Sequence, residues 1–189
     1  MARGLILASQ SPRRKALLEQ VGLAFEVYSA DVDESSWQNE SVEDYVQRIA
    51  TLKATTVATH FPQSIVIAAD TTVTIDGHIL TKPKNRQDAF RMWTLLSGRS
   101  HQVKTTVVVA YASHLFHDTV TTVVYFKDLT EAEMLRYWQT GEPKDKAGAY
   151  AIQGYAAAWI TRIEGSYSSV VGLPLYETLQ LITQAQMIK

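Results

Sequence analysis

Apolar residues in this 189-residue chain fall into runs of strand length and into helical stripes. Residues 4–8 and 64–70 ("SIVIAAD") are continuous apolar runs, which suit strands buried on both faces. Residues 101–112 and 115–126 are long β-rich runs separated by Ser113-His114, predicting a hairpin. "TTVTIDGHIL" alternates apolar and polar positions and carries Asp76-Gly77, a second hairpin signal. Shorter strands are expected at 25–30 and 156–163. Helical spacing follows Ser11-Pro12, with Leu17, Leu18 and Val21 on one face and Gly22 as a stop. It recurs after Ser41, where Asp44 makes a capping-box pattern and Val42, Tyr45, Val46, Ile49 and Ala50 form the stripe. The next position in that stripe is Lys53, and a lysine on an inward face needs a reason. Asn85 opens a helix with Ala89, Met92, Trp93 and Leu96 on one side and Gly98 at its end. Thr130 and Glu133 form another capping box, "GEPKDKAGAYAIQG" and "GSYSSVVGLP" read as loops, and a closing helix runs from about Pro174.

Helices alternate with strands, but two hairpins interrupt the order. The expectation is an α/β fold around a mixed sheet, in one domain spanning 1–189. Hydrophobic residues make up 46% and charged residues 20%, enough apolar material for a sizeable core. The net charge of −1 leaves no global basic field for a nucleic-acid backbone, so any positive site is local. The absence of cysteine excludes disulfides and thiolate chemistry and fits a cytoplasmic setting. No apolar run approaches the ~18 residues of a membrane span, and the patch in "MARGLILASQS" is too short for a signal-peptide core.

Arg13, Arg14 and Lys15 stand in the first turn of the first helix, the end where the dipole is already positive. Free backbone N–H groups there make an anion site, and arginine side chains extend it into a phosphate clamp, with Ser9, Gln10 and Ser11 as small polar neighbours. The alternative is three cations pointing into water, at a cost of only ~0.3–1 kcal/mol each. Asp70 ends a buried strand, where α/β folds open onto ligands; such a carboxylate holds Mg²⁺ or orients water, or is an ordinary strand-end residue. Glu34 could complete a metal site with Asp70, or be a solvated acid in an acidic loop. Lys53 and Lys82 are phosphate-binding point charges, or a snorkelling and a surface lysine. The Gln153 amide, grouped with Thr71, matches the N3–H and O4 edge of uracil and thymine, or serves loop hydrogen bonding.

Several classes are excluded. There is no G-x-x-x-x-G-K-[ST], no G-x-G-x-x-G, no G-x-S-x-G, and no H-E-x-x-H among the five histidines. Aromatic residues are not interleaved with a basic stripe, which counts against single-stranded nucleic-acid binding.

"LASQSPRR", "KA" at 53–54, "AADTTV", "KP" at 82–83, "LSGRSHQV", "DKAGAYAIQG" and "GSYSSVVGLPL" occur in an order that resembles the Maf family of nucleotide pyrophosphatases, over nearly the whole chain. Arg14, Thr71 and Gln153 fall where the dTTP/UTP pyrophosphatase group of that family carries its specificity residues. The resemblance implies an elongated mixed sheet flanked by helices, with two lobes and a central cleft, shared with inosine-triphosphate pyrophosphatases. It implies hydrolysis of a nucleoside triphosphate to monophosphate and pyrophosphate, as nucleotide-pool house-cleaning. Asp70 matches the catalytic acid, and Ser9, Arg13, Glu34, Lys53 and Lys82 match active-site positions. Mg²⁺ or Mn²⁺ at Asp70 and Glu34 is the implied cofactor, and a homodimer is a compatible assembly. The family's 7-methyl-GTP branch and a nucleotide-binding regulator of septum formation are the rival readings. Two departures stand out: Ala16, where Glu is common, and Ala68, where Gly is common.

Overall fold

Most helices begin at a side chain able to satisfy the orphan N–H groups of their first turn. In the computed structural model, which describes residues 4–29 and 31–188, Ser11 accepts from the Arg14 amide and α1 runs Pro12–Gln20. Ser41 accepts from the Asp44 amide at 3.1 Å ahead of α2 (Val42–Ala58). Its hydroxyl also donates to Asp44 Oδ2 at 2.7 Å, which replaces the return bond of a full capping box. Asn85 caps α3 (Arg86–Leu96). Thr130 and Glu133 form the complete reciprocal box of α4 (Glu131–Gln139). The stretch read as a turn-rich loop holds a short helix, α5 (Tyr167–Val171), because Ser166 Oγ accepts from the Ser169 amide at 3.2 Å. The last helix, α6, is Leu175–Gln186. Val21, expected on the buried face of α1, is the exposed residue after it, while Leu17 and Leu18 are buried.

The strands are β1 (Leu5–Leu7), β2 (Glu26–Val27), β3 (Ile65–Ile75), β4 (His78–Leu80), β5 (Ser100–Tyr111), β6 (His114–Phe126) and β7 (Ile160–Glu164). Their hydrogen-bonded order is β2-β1-β3-β5-β6-β7, with β4 also beside β3. β1 pairs in parallel with β2 and β3, whereas β4 pairs antiparallel with β3 and β7 antiparallel with β6, so the sheet is mixed as expected.

Four boundaries differ from the pattern reading. The strand expected at 25–30 shrinks to two paired residues, and Ala30 lies outside the described residues. The buried run and the alternating run are one strand, β3, whose Thr72 and Thr74 are as buried as their apolar neighbours. The β5–β6 turn is Ala112-Ser113, both at positive φ as a two-residue hairpin turn of the I′ kind requires, one residue earlier than expected. Residues 155–159 form a 3-10 turn and β7 starts only at Ile160, because Ala156 and Trp159, three apart, are the buried pair. Asp76-Gly77 does make the β3–β4 turn, with φ of 51° and 77°.

The chain divides into two compact units; three of the boundaries fall inside strands β3, β5 and β6, and the fourth follows α5. The first holds the residues up to Asp70, Thr105–Val120 and those from Gly172 onward. In it α2 lays Ala50, Ala54 and Val57 over Ile6 and Ala8 of the β1 segment, Val66 and Ala68 of β3, and Val108 and Ala110 of β5. The second holds Thr71–Lys104 and Thr121–Val171. Its core is aromatic: Trp93, Tyr137 and Trp159 meet at ring-centroid distances of 4.9–5.5 Å, and the Trp93 indole donates to Ala149 O at 2.9 Å.

Candidate active site

The inward lysine is explained by the strand beneath it. On β3, Val66, Ala68 and Asp70 share a face by the two-residue period. On α2, Ala50, Lys53, Ala54 and Val57 share the face that packs over Val66 and Ala68. Continuing both rows brings Lys53 onto Asp70: its Nζ donates to Asp70 Oδ1 at 2.9 Å. The same ammonium reaches Glu34 Oε1 at 2.8 Å. The Lys53 and Asp70 side chains are each 11% exposed and that of Glu34 46%, so the cluster opens at its Glu34 side. Ions this buried each cost roughly several kcal/mol of lost hydration unless paired, and here each is.

α1 supplies the other cations. Arg14 turns back rather than out: its Nε donates to Gly172 O at 2.7 Å and its Nη1 to Ser9 Oγ at 3.3 Å. Ser9 Oγ also accepts from the Ser11 amide at 3.2 Å, which ties the β1–α1 turn to the same arginine. Arg13 is half-buried beside it. Lys15 follows the solvent alternative and pairs with Glu19 on the exposed face.

The charges of these groups act on one another. Burial pushes the Asp70 carboxyl up, opposed by the charges of Lys53 and Arg14. Burial lowers Arg14, Asp70 and Glu34 counter that, and Arg13 adds to the lowering. Tyr45, treated in the sequence as part of an apolar stripe, has its hydroxyl pushed up to about 12 by burial and by the charges of Asp70 and Glu34. It therefore stays protonated and donates to Glu34 O at 3.0 Å.

The first unit thus holds the six expected residues Ser9, Arg13, Arg14, Glu34, Lys53 and Asp70, with Lys53 in direct contact with both acids and Arg14 with Ser9. Thr71, Lys82 and Gln153 belong to the second unit. Thr71 follows Asp70 on β3 and points to the opposite face, as alternation requires. Lys82 is exposed before the buried Pro83, and Gln153 is exposed between Ile152 and Gly154. Its loop is braced from behind: Tyr137 OH donates to Glu142 Oε1 at 2.6 Å and accepts from the Ala151 amide at 3.0 Å.

Sequence reading missed Tyr45 and the Gly172 carbonyl. A hydroxyl two helical turns from Lys53 on the same stripe was a signal for the first. Nothing local marks the second, since 158 positions separate it from Arg14.

Among the described residues no group of three or more His, Asp or Glu side chains forms an all-protein metal cage. Asp70 and Glu34 instead converge as a pair on one ammonium. Mg²⁺ takes one or two carboxylates and completes its shell with water and phosphate oxygens, so this donor set fits a divalent cation shared with a phosphate ligand.

The family described as Maf-like protein matches residues 4–185. The chain belongs to the Maf family. Maf relatives of known designation align almost end to end. A protein of Acinetobacter baylyi named dTTP/UTP pyrophosphatase is 54% identical over 180 residues, covering 95% of this chain and 98% of the relative. One of the same name from Vibrio vulnificus is 51% identical over 179 residues, covering 94% and 96%. Another from Colwellia psychrerythraea is 47% identical over 189 aligned residues, covering 97% and 89%. Among solved structures, the Staphylococcus aureus Ham1 protein superposes with a TM-score of 0.50 at 14% identity, over 97% of this chain and 100% of that one. That likeness is one of fold, and it agrees with the mixed α/β architecture this Maf sequence led us to expect.

Proposed function

We propose that this chain hydrolyses dTTP and UTP to the monophosphate and pyrophosphate. The observation that carries the reading is the Lys53 ammonium held between Asp70 and Glu34, with Arg14 close enough for its charge to act on both acids. Cations that grip a polyanion and buried carboxylates that face them suit attack on a phosphoanhydride. The name carried by relatives at about half identity supports the same substrate class. No described helix is long and apolar enough to cross a membrane.

In this reading Arg13, Arg14 and the amides at the start of α1 bind the phosphate chain. Lys53 and Lys82 neutralise further oxygens. Asp70 accepts a proton from the water aimed at the α-phosphorus. The new bond joins the water oxygen to that phosphorus, the bond to the α–β bridging oxygen breaks, and pyrophosphate departs. Burial that raises the Asp70 carboxyl makes it a stronger base, while the charges of Lys53 and Arg14 favour its ionised form. Asp70 and Glu34 would hold Mg²⁺ or Mn²⁺, which supplies charge neutralisation on the phosphate oxygens. Ser9 fixes Arg14, and Arg14, Thr71 and Gln153 select the base. The role is nucleotide-pool house-cleaning in the cytoplasm.

The test is pyrophosphate release across a panel of dTTP, UTP, CTP, GTP and 7-methyl-GTP, with Mg²⁺, Mn²⁺ and EDTA arms. Turnover confined to the thymine and uracil nucleotides and lost in EDTA is the expected result. Preference for 7-methyl-GTP, or tight binding without turnover, would replace this reading by one of its rivals. Light scattering of the same samples reads whether the chain pairs, as the family resemblance implies.

A further inference from the structure

We propose that Arg48 and Tyr45 are positioning residues for Glu34, which they hold against Lys53 through the backbone of its loop. The proposal rests on the part given to Glu34 above. Residues 31–41 form neither helix nor strand beyond a turn in which the Glu40 amide donates to Trp37 O, with Asn39 at a φ of 62°. The Glu34 side chain is nearly half exposed, so packing does not fix it. Two side chains of α2 do. Tyr45 OH donates to the carbonyl of Glu34 at 3.0 Å, and Arg48 Nη2 to the carbonyl of Ser35 at 3.0 Å. The two consecutive peptide groups that flank Ser35, the first of them the one that leaves Glu34, are thus tied to the helix that carries Lys53.

Arg48 is itself locked. Its Nη2 donates to Glu40 Oε2 at 2.7 Å while Nε donates to Oε1, a two-pronged pair. The Trp37 ring lies on its guanidinium, 4.1 Å from Cζ to centroid, and the Trp37 amide donates to the same Glu40 carboxylate at 3.1 Å. The Arg48 and Glu40 side chains are only 18% and 6% exposed, unlike an ordinary surface pair. A planar fork that pairs, stacks and still reaches a backbone carbonyl is a task for arginine that a lysine ammonium does not reproduce. Because α2 carries Lys53 as well as both anchors, one rigid element sets both ends of the Glu34–Lys53 contact.

The test joins kinetics with amide hydrogen exchange on the free protein. Arg48→Met and Arg48→Lys should lower kcat for dTTP at least about tenfold with KM within about twofold, since misplacing a reacting-site group costs rate more than affinity. In a Glu34→Gln background, Arg48→Met should lower kcat no more than about twofold further, because both changes remove one function. Amides of residues 33–38 should exchange at least about tenfold faster in Arg48→Met. Wild-type kcat in Arg48→Met, a loss that multiplies onto Glu34→Gln, or unchanged exchange overturns the proposal. If Arg48→Met does not fold, Tyr45→Phe removes a single hydroxyl: about a threefold loss of kcat that vanishes in Glu34→Gln supports the proposal, and no loss overturns it. A wild-type protein that turns over no triphosphate at all would sink the pyrophosphatase reading instead, and the exchange rates would still decide whether the brace exists.

Discussion

Lys53 Nζ lies 2.9 Å from Asp70 Oδ1, and the two sit on elements packed face to face, α2 and β3. The pair is bound as an ion pair, yet its members differ in what removal does. Asp70 is opposed by burial and drawn to ionise by Lys53 and Arg14, whereas Lys53 has two acids to satisfy.

Asp70→Asn should therefore abolish turnover without unfolding the protein. Losing the general base costs about 100- to 10,000-fold in kcat. The fold raises the Asp70 pKa, so it disfavours the ionised form, and that cost is present above the folded pKa and disappears as pH falls below it. A neutral amide removes the cost at pH 7, and Lys53 keeps Glu34 as its partner. Thermal melts should place Asp70→Asn at or above the wild-type Tm, with dTTP binding retained in calorimetry. A melt far below wild type would contradict it.

Lys53→Met should act in the opposite sense on stability. It leaves the buried Asp70 carboxylate without its nearest cation, a change that costs about 3–5 kcal/mol for buried pairs. Whatever Asp70 then ionises must do so against burial and against Glu34, so the rising limb of the pH–rate profile should move to higher pH. Urea unfolding and a pH–kcat series read the two effects separately.

His101, buried on β5 with Nε2 2.7 Å from Tyr150 OH, gives a prediction away from the site. Burial pushes its imidazole down to about 3, and Nδ1 has no hydrogen-bond partner. The unfolded chain takes up a proton near pH 6.5 and the folded chain does not. This contribution is complete above pH 6.5 and is lost as pH falls toward 3, at a rate approaching about 1.4 kcal/mol per pH unit. Between pH 7 and 5 the stability of His101→Gln should fall less steeply than that of wild type in urea titrations.

Gly154 leaves room for a Cβ only if the end of the Glu142 side chain moves aside. A Cβ there would overlap the Glu142 carboxylate, which is already held by Tyr137 OH. Gly154→Ala should displace Glu142 and shift the loop carrying Gln153, at a cost of about 1–3 kcal/mol. If Gln153 reads the base, the ratio of kcat/KM for dTTP over dCTP should fall in this variant while the absolute rate with dTTP changes less. An unchanged ratio would argue that the loop does not select.

Much of the site was legible because its residues obey simple periods. Lys53 stood out as a charge in an apolar stripe, and Asp70 as an acid after an apolar run, although β3 continues buried beyond it to Ile75 and Asp70 does not end the strand as expected. The caps Ser11, Ser41, Asn85 and Thr130 were readable for the same reason, since a capping side chain bonds within three residues of itself. The 3-10 turn at 155–159 was not, because its three-residue spacing is enforced by Trp159 entering an aromatic cluster built from distant segments. The Ala112-Ser113 turn was misplaced by one residue because its type is set by strand register, which a lone dipeptide does not encode.

By itself the sequence determined most of the element types, the mixed sheet, the family resemblance and the charged residues worth suspecting, since propensity, capping and periodicity act over a few neighbouring positions. Tertiary structure alone decided the partners. It chose Gly172 O for Arg14, Asp70 and Glu34 for Lys53, and the Glu34 and Ser35 carbonyls for Tyr45 and Arg48. Those contacts span from 11 to 158 positions and arise only once packing has fixed which faces meet.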